Sequence, residues 1–389
     1  MKTLKLTTAA LALSVAFVPG LALAEIAADI QHPLWYTEPS AKTMEIAAMD
    51  SIDGVVVSDG QRGEPGFPAA DLKLTDEQIE KVRAGKFTVA ISMGWLGDDW
   101  ASQQLIGLKE TFEKLGIEVV AETNANWDDA KQIADLETIA VLKPDLLVSI
   151  PLNGQTTAQA YKAIEEAGTK VVFIDQAVEG MNPGEDYAAI ISSDNLALGM
   201  YLADALAESL GGKGDVAAMY FANDFYVTNL RYEGFIARVM AKYPDINVVA
   251  AVGHNNPNKG QEVADGVLAR YPTLNGMYAS WSIPAMGAVT SATVAGRTPD
   301  DFKIVNENFD QIVALNMAQD GFIAGISSQR PYDQGVAEAT VGALALLGEE
   351  TPSYVVVPPL KVTRANLPDA YKTIYRIDLP AEMSDALSQ

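Results

Sequence analysis

The pattern of apolar and polar positions changes character at about residue 87 of this 389-residue chain. Beyond that point short β-rich apolar runs alternate with stretches whose apolar residues recur at helical spacing. The first run covers residues 87–93, and Leu105, Leu108, Phe112 and Leu115 then share one helical face. Further strands are predicted at 117–121, 145–152, 170–175 and 188–193. A second series starts afresh at Gly214, with strands at 215–221, 247–252, 277–281, 303–307 and 324–328 and a helical face of Leu230, Phe235, Val239 and Met240. The tail adds 354–357 and, after Pro358 and Pro359, 360–363. Near-continuous apolar strands joined by amphipathic helices predict parallel sheets covered on both faces, and two such series predict two α/β lobes. A single α/β barrel is the rival, because it too alternates strand with helix.

The segments before residue 87 are of two kinds. Lys2 and Lys5, an apolar stretch over 6–17 and Ala22-Leu23-Ala24 make a secretory signal over residues 1–24, cleaved before Glu25. Pro19 and Gly20 break that stretch, which is also short for a span of about 20 residues. Residues 25–85 read as an N-terminal extension without period, in which Trp35, Tyr36 and Phe67 are expected to pack on the following domain. Thr75-Asp76-Glu77-Gln78 predicts a cap and a short helix to Ala84.

Charge and composition narrow the function. With 27 Lys and Arg against 51 Asp and Glu the net charge is −24, which disfavours nucleic acid and anionic lipid as partners. Cysteine is absent, so an exported chain relies on its cores; thiol nucleophiles, Cys-based zinc sites and a lipoprotein anchor after the signal are excluded with it. The expected location is a periplasm. Only His32 and His254 occur, neither in a zinc spacing, and no G-x-S-x-G, phosphate-loop or G-x-G-x-x-G signature is present. No cofactor or metal is expected. Asp98-Asp99 and Asp128-Asp129 resemble acid–base pairs, but both stand at predicted helix starts, where a carboxylate caps free N–H groups.

What remains suits a neutral polyhydroxylated ligand: flat aromatic faces for the C–H surface of a ring and fixed polar groups for its hydroxyls. In open α/β sheets ligands bind beyond the carboxyl ends of strands. There the first series places Trp95, Asp98, Trp100, Asn153 and Asp175, and the second Phe225, Asn229, Trp281 and Asn308.

Residues 87–363 resemble the periplasmic sugar-binding proteins of ABC importers, ribose-binding type, of the type I periplasmic binding protein family. The marks are Thr88-Val89-Ala90-Ile91-Ser92-Met93, Ile191-Ser192-Ser193-Asp194-Asn195 leading into Gly199, Asn229-Leu230-Arg231-Tyr232-Glu233-Gly234-Phe235, and Gln329-Arg330-Pro331-Tyr332-Asp333-Gln334-Gly335. The resemblance implies two doubly wound parallel-sheet lobes joined by three crossovers, at Ser193, at 329–331 and at 357–359. The first lobe would comprise 86–193 with 330–357, and the second 194–329 with 358–389. It implies a ring-stacking role for Trp100, with Asp98 beside it, and a hydroxyl-binding role for Asp175. Ser193 and Gln329 would stand at the first and second crossovers. Asn229, Trp281 and Asn308 replace the Arg, Asn and Asp of the ribose pattern, so a different monosaccharide or a polyol is expected, or a less polar ligand. Arg231 is expected in a structural ion pair. Lobe closure on ligand and presentation to an inner-membrane permease follow, by a monomer without catalysis. Two other classes compete: a periplasmic carbohydrate-processing enzyme on a barrel, and a repressor of the lactose-repressor type, which would need a DNA-binding headpiece where the signal and extension stand.

Overall fold

The computed structural model describes residues 30 and 32–388, so the predicted signal lies outside the described residues. Two separate sheets are formed. The first holds seven strands: β1 (Phe67–Pro68), β2 (Thr88–Met93), β3 (Glu118–Asn124), β4 (Leu146–Ser149), β5 (Lys170–Ile174), β6 (Ala189–Ser193) and β12 (Tyr354–Val357), in the order β1-β12-β6-β5-β4-β2-β3. All its pairs are parallel. The second holds β7 (Gly214–Phe221), β8 (Ile246–His254), β9 (Gly276–Ala279), β10 (Lys303–Glu307), β11 (Ile323–Ser328) and β13 (Leu360–Val362), in the order β13-β11-β10-β9-β7-β8. Only β13 runs antiparallel. Neither sheet closes on itself, which overturns the single barrel.

Central strands such as β4 and β6 are buried along their whole length, as a sheet covered by helices on both faces requires. The chain passes between the sheets three times: from β6 into the helix Asn195–Ser209, from β11 into the helix Pro331–Leu346, and from β12 to β13. In each lobe two helices meet through paired glycines. A Cβ on Gly199 would lie 1.9 Å from the Arg231 carbonyl oxygen, and one on Gly234 2.3 Å from that of Leu196. That close approach seats the helix Tyr226–Lys242, which carries Arg231.

The extension is more than a surface appendage. Its helix Ala41–Ala47 and Val57 share a core with Leu196, Met200 and Ala237 of the second lobe. His32, Trp35 and Tyr36 cluster about Tyr232, also in the second lobe rather than on the domain that follows in sequence. The chain then crosses to the first lobe, where β1 becomes its edge strand. Midway it is fastened to Asp194 at the first crossover, whose carboxylate accepts from Val57 N (2.7 Å), Ser58 N (3.1 Å) and Ser58 Oγ (2.7 Å). The capping box at Thr75 and Gln78 starts a helix over Asp76–Gly85, as the sequence predicts.

Candidate ligand-binding site

The carboxyl ends of the strands of both sheets face a common cleft. In the first lobe β2 leads into Trp95 and the helix Asp99–Leu115, capped by Asp98, whose Oδ1 accepts from Ala101 N at 2.9 Å. Its Oδ2 accepts from Trp95 Nε1 at 2.9 Å, so the capping group also orients an indole. Trp95 stacks on Trp100 at 5.3 Å and on Trp127 at 4.1 Å between ring centroids. Trp127 has φ 65°, next to Asn126 at φ 53°. A left-handed conformation is costly for a bulky residue. It is held by Trp127 N donating to Gly94 O (3.0 Å) and Asn126 N to Asn124 Oδ1 (2.9 Å).

The two lobes place a polar residue in the same way. Asp175 follows β5 and Asn308 follows β10, each with φ 64°. Asp175 Oδ1 accepts from Ser192 Oγ at 2.7 Å, and its other oxygen takes no hydrogen bond from the described residues. Burial pushes its carboxyl above the usual range, against the pull of Arg231 and Ser192. Burial also raises Asp98, with the neighbouring Asp99 adding to the effect. Asn308 Oδ1 accepts from Gln329 Nε2 at 2.9 Å.

Phe221, Phe225 and Trp281 form the facing wall, with Phe221 edge-on to Trp281 at 5.2 Å. Below them Arg231 donates through Nη1 to Glu307 (2.6 Å) and through Nε to Asn195 (2.8 Å). This is the ion pair expected for Arg231, but the side chain also reaches the cavity wall. Trp100 Nε1 and Gln329 Oε1 are buried without a partner among the described residues, so a ligand in the cavity can supply one.

Together these residues line one cavity between the lobes, open to the outside at its mouth. Of the predicted residues it gathers Trp95, Asp98, Trp100, Asp175, Phe225, Trp281, Asn308 and Gln329. Asn153 and Asn229 line a wider outer cleft that shares Trp127, Phe221 and Phe225 with the cavity. Ser193 donates instead to Val357 O (3.3 Å) across the crossovers. The reason for Asn229 is helical: Val227, Thr228 and Arg231 face inward, and Asn229, turned by about 100° per residue, donates sideways to Asp224 Oδ1 at 2.6 Å. Sequence reasoning missed Trp127, Phe221, Val227 and Thr228. Phe221, at the end of β7, and Trp127, three residues past β3, were both within reach of the strand-end rule.

Among the described residues no group of three or more His, Asp or Glu is placed to hold a metal ion, and no helix is long and apolar enough to cross a membrane. Two parallel α/β lobes with a small-molecule cavity at their junction define a two-lobe binding protein. Residues 89–350 match the family model described as periplasmic binding protein domain, and the chain belongs to that family. It is similar to the ribose import binding protein of Salmonella typhimurium, 26% identical over 268 residues that cover 68% of this chain and 86% of that one. The xylitol-binding protein of Mycolicibacterium smegmatis is 22% identical over 260 residues, covering 66% of this chain and 72% of the other. Among solved structures, an ABC transporter solute-binding protein from Agrobacterium vitis bound with alpha-D-tagatopyranose superposes with a TM-score of 0.68 at 23% identity, covering 76% of this chain and 100% of that one. At this identity the last likeness shows the fold alone.

Proposed function

We infer that the protein is the periplasmic solute-binding component of an ABC importer, which holds a monosaccharide or polyol between its lobes and presents it to an inner-membrane permease as a monomer. The observation that carries this reading is the cavity itself, in which aromatic faces and buried, partly unpartnered polar groups come from both lobes. The match to the family and the relatives named for ribose and xylitol support it. So does the apolar leader over residues 1–24, which is the reason for placing the protein in a periplasm. Closure needs no chemistry: a ligand that touches both walls favours the closed form by its extra contacts alone.

The test is a thermal-shift and calorimetric screen of the mature chain against monosaccharides and polyols. A ligand that binds only the folded state raises the midpoint by mass action. Asp175→Ala is expected to lower the affinity of any hit at least tenfold with the unliganded midpoint little changed. Silence across all carbohydrates, amino sugars included, would refute the carbohydrate reading.

A further inference from the structure

The lining of the cavity is unbalanced in charge. Its charged side chains are Asp98, Asp175 and Arg231, and those of the adjoining outer cleft are Asp129, Glu179 and Asp224. Arg231 is the only cation among them, and it is already engaged by Glu307 and Asn195. A ligand entering through the outer cleft therefore meets a majority of carboxylates, with Arg231 alone to oppose them.

The aromatic content points the same way. Four of the five tryptophans of the chain, Trp95, Trp100, Trp127 and Trp281, line this one cavity. Indole presents the most favourable ring face for a cation, and desolvation strengthens the attraction; Trp95 is already stacked on Trp100 and Trp127, which leaves those two and Trp281 to offer a face. Two acceptors of the lining are left for a ligand, one oxygen of Asp175 and Gln329 Oε1, beside donors such as Trp100 Nε1. A cationic head brings the positive charge that these carboxylates face, and a protonated amine adds N–H donors for the free acceptors.

We propose that the ligand is a small organic cation, a polyhydroxylated or otherwise compact molecule bearing an ammonium group, held against the tryptophan faces and countered by Asp98 and Asp175. The proposal rests on the cavity between the lobes being the ligand site. It goes beyond the neutral sugar or polyol of the reading above and replaces neutrality as the basis of selection. Trp127, half-exposed at 46% and shared by the cavity and the outer cleft, stands where an entering cation first meets an indole face.

The test is titration calorimetry of the mature chain with matched pairs that differ in charge: glucosamine against glucose, galactosamine against galactose, and choline against 3,3-dimethylbutan-1-ol. The cationic member of at least one pair is expected to bind on the order of tenfold or more tightly. That ratio should shrink severalfold in Asp175→Asn and in Trp127→Leu, whose thermal midpoints report whether each still folds. Neutral members that bind as tightly as their cationic partners, or no binding by any cationic member, would overturn the proposal. The failures are distinguishable. Tight neutral-sugar binding without charge preference removes the cation and leaves the carbohydrate reading standing, whereas choline binding with silence from every sugar and amino sugar does the reverse.

Discussion

The ion pair beneath the cavity gives a prediction whose size can be worked out. Arg231 and Glu307 meet at 2.6 Å with side chains only 4% and 0% exposed, and Tyr278 donates to the other oxygen of Glu307. Replacing Arg231 by Met keeps most of the volume but leaves a buried carboxylate with only a phenol to answer it. Breaking such a pair from one side costs about 3–5 kcal/mol. At about 2–4 °C per kcal/mol for a lobe of this size, the unliganded midpoint should fall by on the order of 10 °C. Glu307 is already pushed up by burial, with Arg231 and then Tyr278 pulling it down. Without Arg231 it should hold its proton in the folded state to still higher pH. A folded state that binds more protons than the unfolded one loses stability as pH rises, so the deficit should be smaller at pH 5 than at pH 8. Arg231→Met with Glu307→Leu removes both charges and should recover about 2 kcal/mol or more. Urea unfolding at both pH values measures all of this. A single variant that loses less than about 1 kcal/mol, a deficit that does not change with pH, or a double variant no better than the single would refute the argument.

Other contacts give further tests. Asp194→Ala removes the anchor of the extension at the first crossover and should cost about 3 kcal/mol, with Ser58→Ala nearer 1, because buried N–H groups lose their acceptor. Limited proteolysis should then cut within residues 48–66 before the lobes. Asp99 of the first lobe accepts from Gln311 N (2.9 Å) and Tyr375 Oη (2.7 Å) of the second, so Asp99→Ala should weaken closure. Small-angle scattering is expected to show a larger unliganded radius of gyration, and an unchanged one would count against the latch. Asp310 is pushed up to about 7 by burial and then by Asp98 and Asp99 across the cleft. Its folded value lies above the unfolded one, so stability present below about pH 4 is lost as pH rises through about 7. Asp310→Asn should flatten that slope in thermal melts taken from pH 4 to pH 8.

The chain's local patterns determined its lobes and much of one wall of the site. Burial on both faces of a parallel strand is written as a continuous apolar run, so most strands stand within a few residues of their predicted places. Asp98 was legible because a cap depends only on its own helix, and Asp175 because the ends of strands face the cleft. What depends on distant partners was not legible. Trp127 stands just past β3, but its orientation comes from a left-handed turn and from stacking on Trp95, neither of which leaves a periodic trace. The choice between Arg231 and Asn229 as cavity residues was made by the rotation of one helix, set by glycine contacts with another. The extension looked irregular because its order comes from Asp194, Tyr232 and β12, all far along the chain. Periodicity records which side of an element is buried; only tertiary packing decides what it is buried against, and here that choice set the charge and the aromatic faces of the cavity.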